Sequence, residues 1–243
     1  MKLIKADHNR RLEIPGVPGL ARRPVDIDRS RTGFANLRSL RIYRFDAQSV
    51  INGHAEEDEV FVVVLAGSVA LSVSEADSAG GSRSFTLAAA SSSYREACVA
   101  YLPPHSAYRL TPGTDADVAY ARATPVGGRP AAAFTPSARK SADGATVLLE
   151  EATYAQRLRL RLTELDASQG DVAFTPVQES ESSWEALVHV RTVPAEGVAS
   201  IVTPGAGPTQ LDSWDTVSVE PGDHPTLCIA MRSSAFVLVV LAA

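Results

Sequence analysis

Apolar runs of about five to eight residues, rich in Val, Leu, Ala and Tyr and punctuated by Gly, Pro, Asp and Ser, recur along almost the whole chain. This rhythm predicts short strands joined by turns, with almost no helix. In the first half it places strands at Leu37–Phe45, Val60–Leu65, Val69–Ser74, Ser84–Leu87, Cys98–Leu102, Tyr108–Thr111 and Val118–Ala123. Ala66-Gly67-Ser68 splits one apolar run in two, as a hairpin would. Pro103-Pro104 and Pro112-Gly113 cannot continue a ladder and mark strand ends. The polar stretch Glu75–Arg83, with Gly80-Gly81, reads as a solvated loop.

From Gly127 to Asp143 the periodic pattern gives way to Gly, Pro, Ala and Ser. This predicts a linker over 131–143 between a first domain at 1–130 and a second at 144–243. Beyond it, strands are expected at Leu158–Leu165, Ala186–Val193, Val198–Val202, Thr216–Val219, Thr226–Ala230 and Ala235–Leu241, with turns at Pro194–Gly197 and Glu220–Asp223. The one helix candidate, Thr146–Arg159, lacks a clear apolar stripe, and strand is the alternative for its second part. Both halves run through the same order: long apolar strand, Gly turn, second strand, polar loop, strand, Pro-rich turn, strand. A duplicated barrel leaves such an order behind. The expected fold class is therefore all-β, with two tandem antiparallel barrels; a single sandwich of about a dozen strands is the alternative.

Composition supports two cores, since 243 residues at 45% hydrophobic content suffice for two domains of roughly 110–120 residues each. The net charge of -5, with no stripe of Lys and Arg, argues against nucleic acid as a partner. The start, Met1-Lys2-Leu3-Ile4-Lys5-Ala6-Asp7-His8, lacks the apolar core of a secretory signal, and no run approaches the roughly 18 apolar residues of a membrane span. A cytoplasmic protein is expected. Cys98 and Cys228 each sit in an apolar run and read as reduced core thiols, with no disulfide between them.

His54-Ala55-Glu56-Glu57-Asp58-Glu59, followed by a Val-rich strand and Gly67, resembles the first motif of the cupin barrels, and Tyr101-Leu102-Pro103-Pro104-His105-Ser106-Ala107-Tyr108 resembles the second. Such barrels hold a divalent ion with two His and a carboxylate from one hairpin and another His from a later turn. The spacing works because alternate strand residues share a face, so H-x-H presents two imidazoles to one ion. Here one His remains in the first motif, and Tyr108 stands where the later His would be. His54, Glu59 and His105 make a reduced candidate set; an acidic surface loop before a buried strand is the other reading.

The segments Glu59–Leu71 (EVFVVVLAGSVAL), Tyr101–Thr111 (YLPPHSAYRLT), Asp115–Pro125 (DADVAYARATP) and Val217–Ala243 resemble the family of 5-deoxy-glucuronate isomerase of myo-inositol catabolism and 5-keto-4-deoxyuronate isomerase. The resemblance implies a bicupin fold, an aldose–ketose isomerisation of a sugar acid, and a metal site in the C-terminal barrel. That family site uses a Pro-Pro-His-x-His segment, a Glu on the next strand and a His in a Gly-x-His-Pro turn. Carried onto this chain, the last element is His224, while Gln178 and Ser180 stand in for the two imidazoles. The strand Glu falls on Ala186 or, one residue earlier, on Glu185; because a one-residue shift reverses the facing, the two registers differ in whether any carboxylate points inward. The implied cofactor is a weakly held divalent ion, zinc or manganese, or none at all. The implied ligand is a sugar acid, and a homodimer through edge strands is expected.

Moving a carbonyl between neighbouring carbons passes through an enediolate, whose charge a Lewis acid stabilises while a base carries the proton. With the ion absent, His224, Glu185, Gln178 and Ser180 could still hydrogen-bond a sugar carboxylate or hydroxyl, which would make the chain a binding module. His189 alternates on a predicted strand and either points into the barrel or is a satisfied strand histidine. Trp184 and Trp214 either stack on a sugar, close the barrel ends or fill a subunit interface.

Overall fold

The computed structural model describes residues 1–14, 17, 19–75, 81–89, 96–127, 129–141, 145–151, 154–155, 157–168, 170–193 and 197–243. In chain order the elements are β1 (Lys2–Ile4), β2 (Arg11–Glu13), β3 (Leu20–Asp28), α1 (Arg29–Thr32), β4 (Leu37–Phe45), β5 (Ile51–His54), β6 (Glu59–Ala66), β7 (Ser68–Ser74), β8 (Ser82–Ala88), β9 (Val99–Leu102), β10 (Ala107–Pro112), β11 (Ala116–Ala123) and β12 (Ala132–Phe134). They continue as β13 (Arg139–Lys140), β14 (Thr146–Glu151), β15 (Leu158–Asp166), β16 (Val172–Phe174), a 3-10 turn (Glu179–Glu181), β17 (Glu185–Val193), β18 (Ala199–Val202), β19 (Thr209–Leu211), β20 (Thr216–Val219), β21 (Thr226–Ile229) and β22 (Ser234–Ala242). Every strand expected from the apolar runs is present, its ends shifted by a residue or two.

The chain forms two compact units. One, the N-terminal unit, comprises Asp7–Pro136 and Ala152–Leu158; the other, the C-terminal unit, comprises Met1–Ala6, Ser137–Glu151 and Arg159–Ala243. In the N-terminal unit a seven-stranded sheet runs β12-β9-β6-β11-β4-β3-β2 and a four-stranded sheet runs β5-β10-β7-β8. In the C-terminal unit the orders are β1-β20-β17-β22-β15-β14-β13 and β16-β21-β18-β19. The two sets of orders correspond strand for strand except at one edge, where β12 comes from the end of its unit and β1 from the start of the chain, so the duplication suggested by the sequence is a duplication of topology. Each unit packs aliphatic side chains between its two sheets, a jelly roll with its core inside.

Strand facing explains the apolar runs. In β6, Val60, Val62 and Val64 join the core inside the roll, yet Glu59, Phe61 and Val63 on the reverse face are equally buried. A strand buried on both faces reads as a continuous apolar run rather than an alternation.

Several expectations change. Ala66-Gly67-Ser68 does not close a hairpin: β6 pairs with β9 and β11, whereas β7 pairs with β8 and β10. Gly67, at φ +75, instead turns the chain from one sheet into the other, and a Cβ there would overlap the Asp115 carbonyl oxygen. The helix candidate at 146–159 is strand at both ends, as β14 and the start of β15, with 152, 153 and 156 outside the described residues. Its Val-Leu-Leu run pairs with β15 because Val147 and Leu148 are buried, which outweighs helix propensity. The segment read as a linker carries β12 and β13. Residues 76–80 of the polar loop and 194–196 of the Pro194 turn lie outside the described residues.

The units also exchange chain segments. β1 adds to β20 through Leu3 opposite Val217, placing the first six residues in the C-terminal unit. In the N-terminal unit, Glu59 accepts the backbone N–H groups of Leu158 at 2.6 Å and Arg157 at 3.3 Å, and the Tyr154 ring meets Tyr101 and Phe134 edge-on at 5.3 and 5.2 Å. No helix among the described residues is long and apolar enough to cross a membrane.

Candidate functional site

The second barrel is where the family resemblance puts a metal, and its geometry is fixed by the facing of β17. Ala186, Val188 and Val190 belong to the core inside the roll, so Glu185 and His189 face the other way. The inward register of the strand Glu is therefore an alanine, and the adjacent carboxylate, Glu185, points away from the interior. Gln178 and Ser180 are exposed on and beside the 3-10 turn. His224 lies half-buried in the turn between β20 and β21, where the neighbouring Asp223 carboxylate takes the Met1 ammonium at 2.7 Å. The four residues expected to line one pocket do not converge on a common point inside the barrel.

A fixed cation is already present on that inward face. Arg161 of β15, 5% exposed, donates to the Pro176 carbonyl at 2.9 Å, to Glu181 Oε1 at 2.9 Å and to Glu150 Oε1 at 3.0 Å. Glu181, also buried, uses Oε2 to accept the Gln178 N–H at 2.9 Å. A guanidinium held by two carboxylates and a carbonyl fills its own donors and leaves those oxygens engaged. Together with the aliphatic lining, this does not fit a divalent ion. Among the described residues no group of three His, Cys, Asp or Glu is arranged to hold one.

The N-terminal alternative does not assemble either. Glu59 is on the reverse face of β6, engaged with Arg157 and Leu158, and burial raises its pKa against the lowering effect of those hydrogen bonds. His54 and His105 are exposed. His189 is fully buried on the reverse face of β17 with Nδ1 3.1 Å from Thr216 Oγ1, and burial, then Arg191, pushes its pKa down to about 3. Trp214 meets His189 edge-on at 5.8 Å, and Trp184 packs on the second core beneath the Arg159 guanidinium at 3.9 Å. Neither tryptophan stacks in an open pocket. Cys98 and Cys228 are free thiols, and burial pushes Cys98 up to about 12, which leaves it inert.

The first barrel has the more polar interior. Its inward face carries Arg41 and Tyr43 on β4, Tyr120 and Arg122 on β11, and Tyr108 on β10 around a cavity of about 170 Å³. Tyr120 meets Tyr43 edge-on at 5.6 Å and lies near-parallel to Tyr108 at 5.9 Å. Burial raises the pKa of both Tyr108 and Tyr120. Arg122 donates to the carbonyls of His54 at 2.6 Å and Ala55 at 3.1 Å, and stands 3.6 Å from Asp58 and Glu56. Asp26 gathers Arg10, Arg23 and Arg41 at 2.5, 2.9 and 3.2 Å. Gly53 lies opposite Tyr108 in the ladder, and a Cβ there would overlap the tyrosine ring, so the missing side chain makes the ring's place.

The duplication shows how the barrels diverged. Asp26 opposes Arg41 across β3 and β4 as Glu150 opposes Arg161 across β14 and β15, so each barrel carries one inward Arg–carboxylate pair. With Glu59 aligned on Glu185, Tyr120 and Arg122 correspond to the aliphatic Val239 and Leu241. Sequence reasoning singled out Tyr108 here but passed over Arg41, Tyr43, Tyr120 and Arg122. Their signal was polar and aromatic residues two apart within apolar strands, Arg41-x-Tyr43 and Tyr120-x-Arg122. Arg161 carried the same kind of signal in Arg159-x-Arg161, whereas Glu181 carried none.

Comparison with known proteins follows this geometry. The KduI/IolB family model matches residues 21–147. No curated protein matches in sequence. Among solved structures, an IolB-like protein from Salmonella typhimurium LT2 aligns with TM-score 0.69 at 17% identity, covering 99% of this chain and 92% of its own. Protein Ylba from E. coli aligns with TM-score 0.67 at 10% identity, covering 99% and 90%. Lactobacillus farciminis oxalate decarboxylase aligns with TM-score 0.68 at 8% identity, covering 99% and 85%. At these identities the likeness is one of fold: two tandem cupin-type jelly rolls, as expected.

Proposed function

We propose, from the premise that the chain belongs to the KduI/IolB family, that it is a sugar-acid-binding relative of that family's isomerases in which metal-dependent turnover is reduced or lost. The ligand class is that of the 5-deoxy-glucuronate type of myo-inositol catabolism, and the protein acts in the cytoplasm. One observation carries the reading. On β17 the inward residue is Ala186, Glu185 faces away, and the Arg161–Glu181 pair occupies the inward face beside the 3-10 turn. Isomerisation requires a cation free to stabilise the enediolate. A guanidinium already neutralised by Glu181 and Glu150 is not such a group.

The test is metal analysis of the purified protein together with turnover of 5-deoxy-glucuronate, with and without added zinc or manganese. The expected result is substoichiometric metal, no turnover on metal addition, and sugar-acid binding that survives a chelator. A stoichiometric ion retained through purification, with turnover that a chelator abolishes, would overturn the reading.

A further inference from the structure

We infer that the ligand site of this protein is the interior of the first barrel, a pocket for a small hydroxylated carboxylic acid whose carboxylate sets against Arg122 and Arg41 and whose hydroxyls meet Tyr108 and Tyr120. The ligand class rests on the family reading above; the location rests on the geometry of the barrel alone. Four observations support it.

First, the pocket contains a poorly partnered polar group. Tyr120 is 5% exposed and lines the cavity, and its hydroxyl faces that of Tyr108 without making a well-formed hydrogen bond. Such a buried hydroxyl costs about 1–3 kcal/mol, a penalty that a ligand oxygen removes. Second, the charge around the cavity suits an anion. Arg41 and Arg122 line the cavity, and none of its lining residues is a carboxylate, although Asp26 and Asp58 pair with the two arginines at 3.2 and 3.6 Å. Arginine matches a carboxylate with two parallel donors.

Third, the inward tyrosine and arginine of β11 are confined to one copy of a duplicated fold. The second barrel fills the equivalent positions with Val239 and Leu241 and closes its Arg161 with Glu181, which the first barrel does not do. Polar groups inside a jelly roll are costly without a partner or a task, and the second barrel shows that the architecture does not need a tyrosine and an arginine at these two positions. Fourth, the space has the right scale. At about 30 Å³ per water, a cavity of about 170 Å³ holds on the order of six water-sized groups, the bulk of a short hydroxy acid.

The experiment is isothermal titration calorimetry on the full chain with D-glycerate and D-glucuronate, against glycerol and D-glucose as neutral counterparts. At least one acid should bind, more weakly at high salt, and neither neutral compound should. Tyr120→Phe removes only the poorly partnered hydroxyl and should weaken binding about tenfold while the melting temperature of the free protein stays the same or rises. Gly53→Ala drives the Tyr108 ring into the cavity and should abolish binding; should that variant fail to fold, Tyr120→Phe carries the test. Acid binding that both folded variants leave intact would overturn the location while the family reading stands. No binding by either acid would overturn the site altogether, and the metal and turnover assays would still decide the family reading independently.

Discussion

Replacing Arg161 by methionine removes the one cation that pairs with Glu181 among the described residues, and the structure sets the size of the effect. The two side chains are 5% and 6% exposed and meet at 2.9 Å. Once Arg161 is gone, Glu181 keeps the Gln178 N–H but no positive partner, while Glu150, 24% exposed, retains its ion pair with Arg139. Breaking a buried pair from one side costs about 3–5 kcal/mol. Glu181→Leu costs less, about 2–3 kcal/mol, because Arg161 still holds Glu150 and the Pro176 carbonyl. The double variant, Arg161→Met with Glu181→Leu, leaves no unpaired charge at Glu181 and should fall well short of the sum of the singles. The assay is urea unfolding followed by tryptophan fluorescence, since both tryptophans, Trp184 and Trp214, belong to the C-terminal unit. With a slope of about 2–3 kcal/mol per molar urea, Arg161→Met should move the midpoint down by about 1–2 M. Additive effects, within about 0.5 kcal/mol, would refute the claim that the pair is a self-contained buried unit.

Three further outcomes are expected. His189 is neutral in the fold with its pKa near 3, whereas the unfolded imidazole titrates near 6.5. Its contribution is complete above pH 6.5 and is lost as pH falls toward 3, at up to about 1.4 kcal/mol per pH unit; His189→Gln should flatten this limb in urea titrations from pH 7 to 4, and an unchanged slope would contradict the assignment. Glu59 serves as a hydrogen-bond acceptor for two backbone N–H groups, so Glu59→Gln should cost about 1 kcal/mol and Glu59→Leu about 2–4 kcal/mol by calorimetry. Equal losses would mean that the charge, not the acceptor, matters. Gly67→Ala should cost at least about 2 kcal/mol, since it adds a left-handed backbone penalty to a clash with the Asp115 carbonyl; a loss below about 0.5 kcal/mol would show that the corner can relax.

The turn chemistry was legible at Pro103-Pro104, Pro112-Gly113 and Pro221-Gly222, because those residues act on their own backbone whatever surrounds them. Glu220-Pro221-Gly222-Asp223 is such a turn, with Gly222 at φ +90. Gly67 shows the limit of this reading. A break between two apolar runs is visible in sequence, but whether it folds them onto each other or sends them into different sheets depends on partners far along the chain.

The family membership and the resemblance to its motifs likewise came from contiguous residues, with EVFVVVLAGSVAL inside the matched segment. The candidate site did not. Its Glu185 was visible but its facing was not, and Arg161 finds Glu181 across 20 residues while Arg41 and Arg122 come together from separate strands. Polar residues on apolar strands look alike in sequence whether they point inward or to the reverse face.

Sequence alone determined that this chain is all strand, built in two similar halves, because alternation, apolar runs and turn residues express forces that act within a few residues. Only the tertiary structure decided which barrel lines its inward face with Tyr120 and Arg122 around a cavity, and which strand faces in. Those outcomes depend on strand register and on which distant side chains come within about 3 Å of a charge, and neither is encoded in any local stretch.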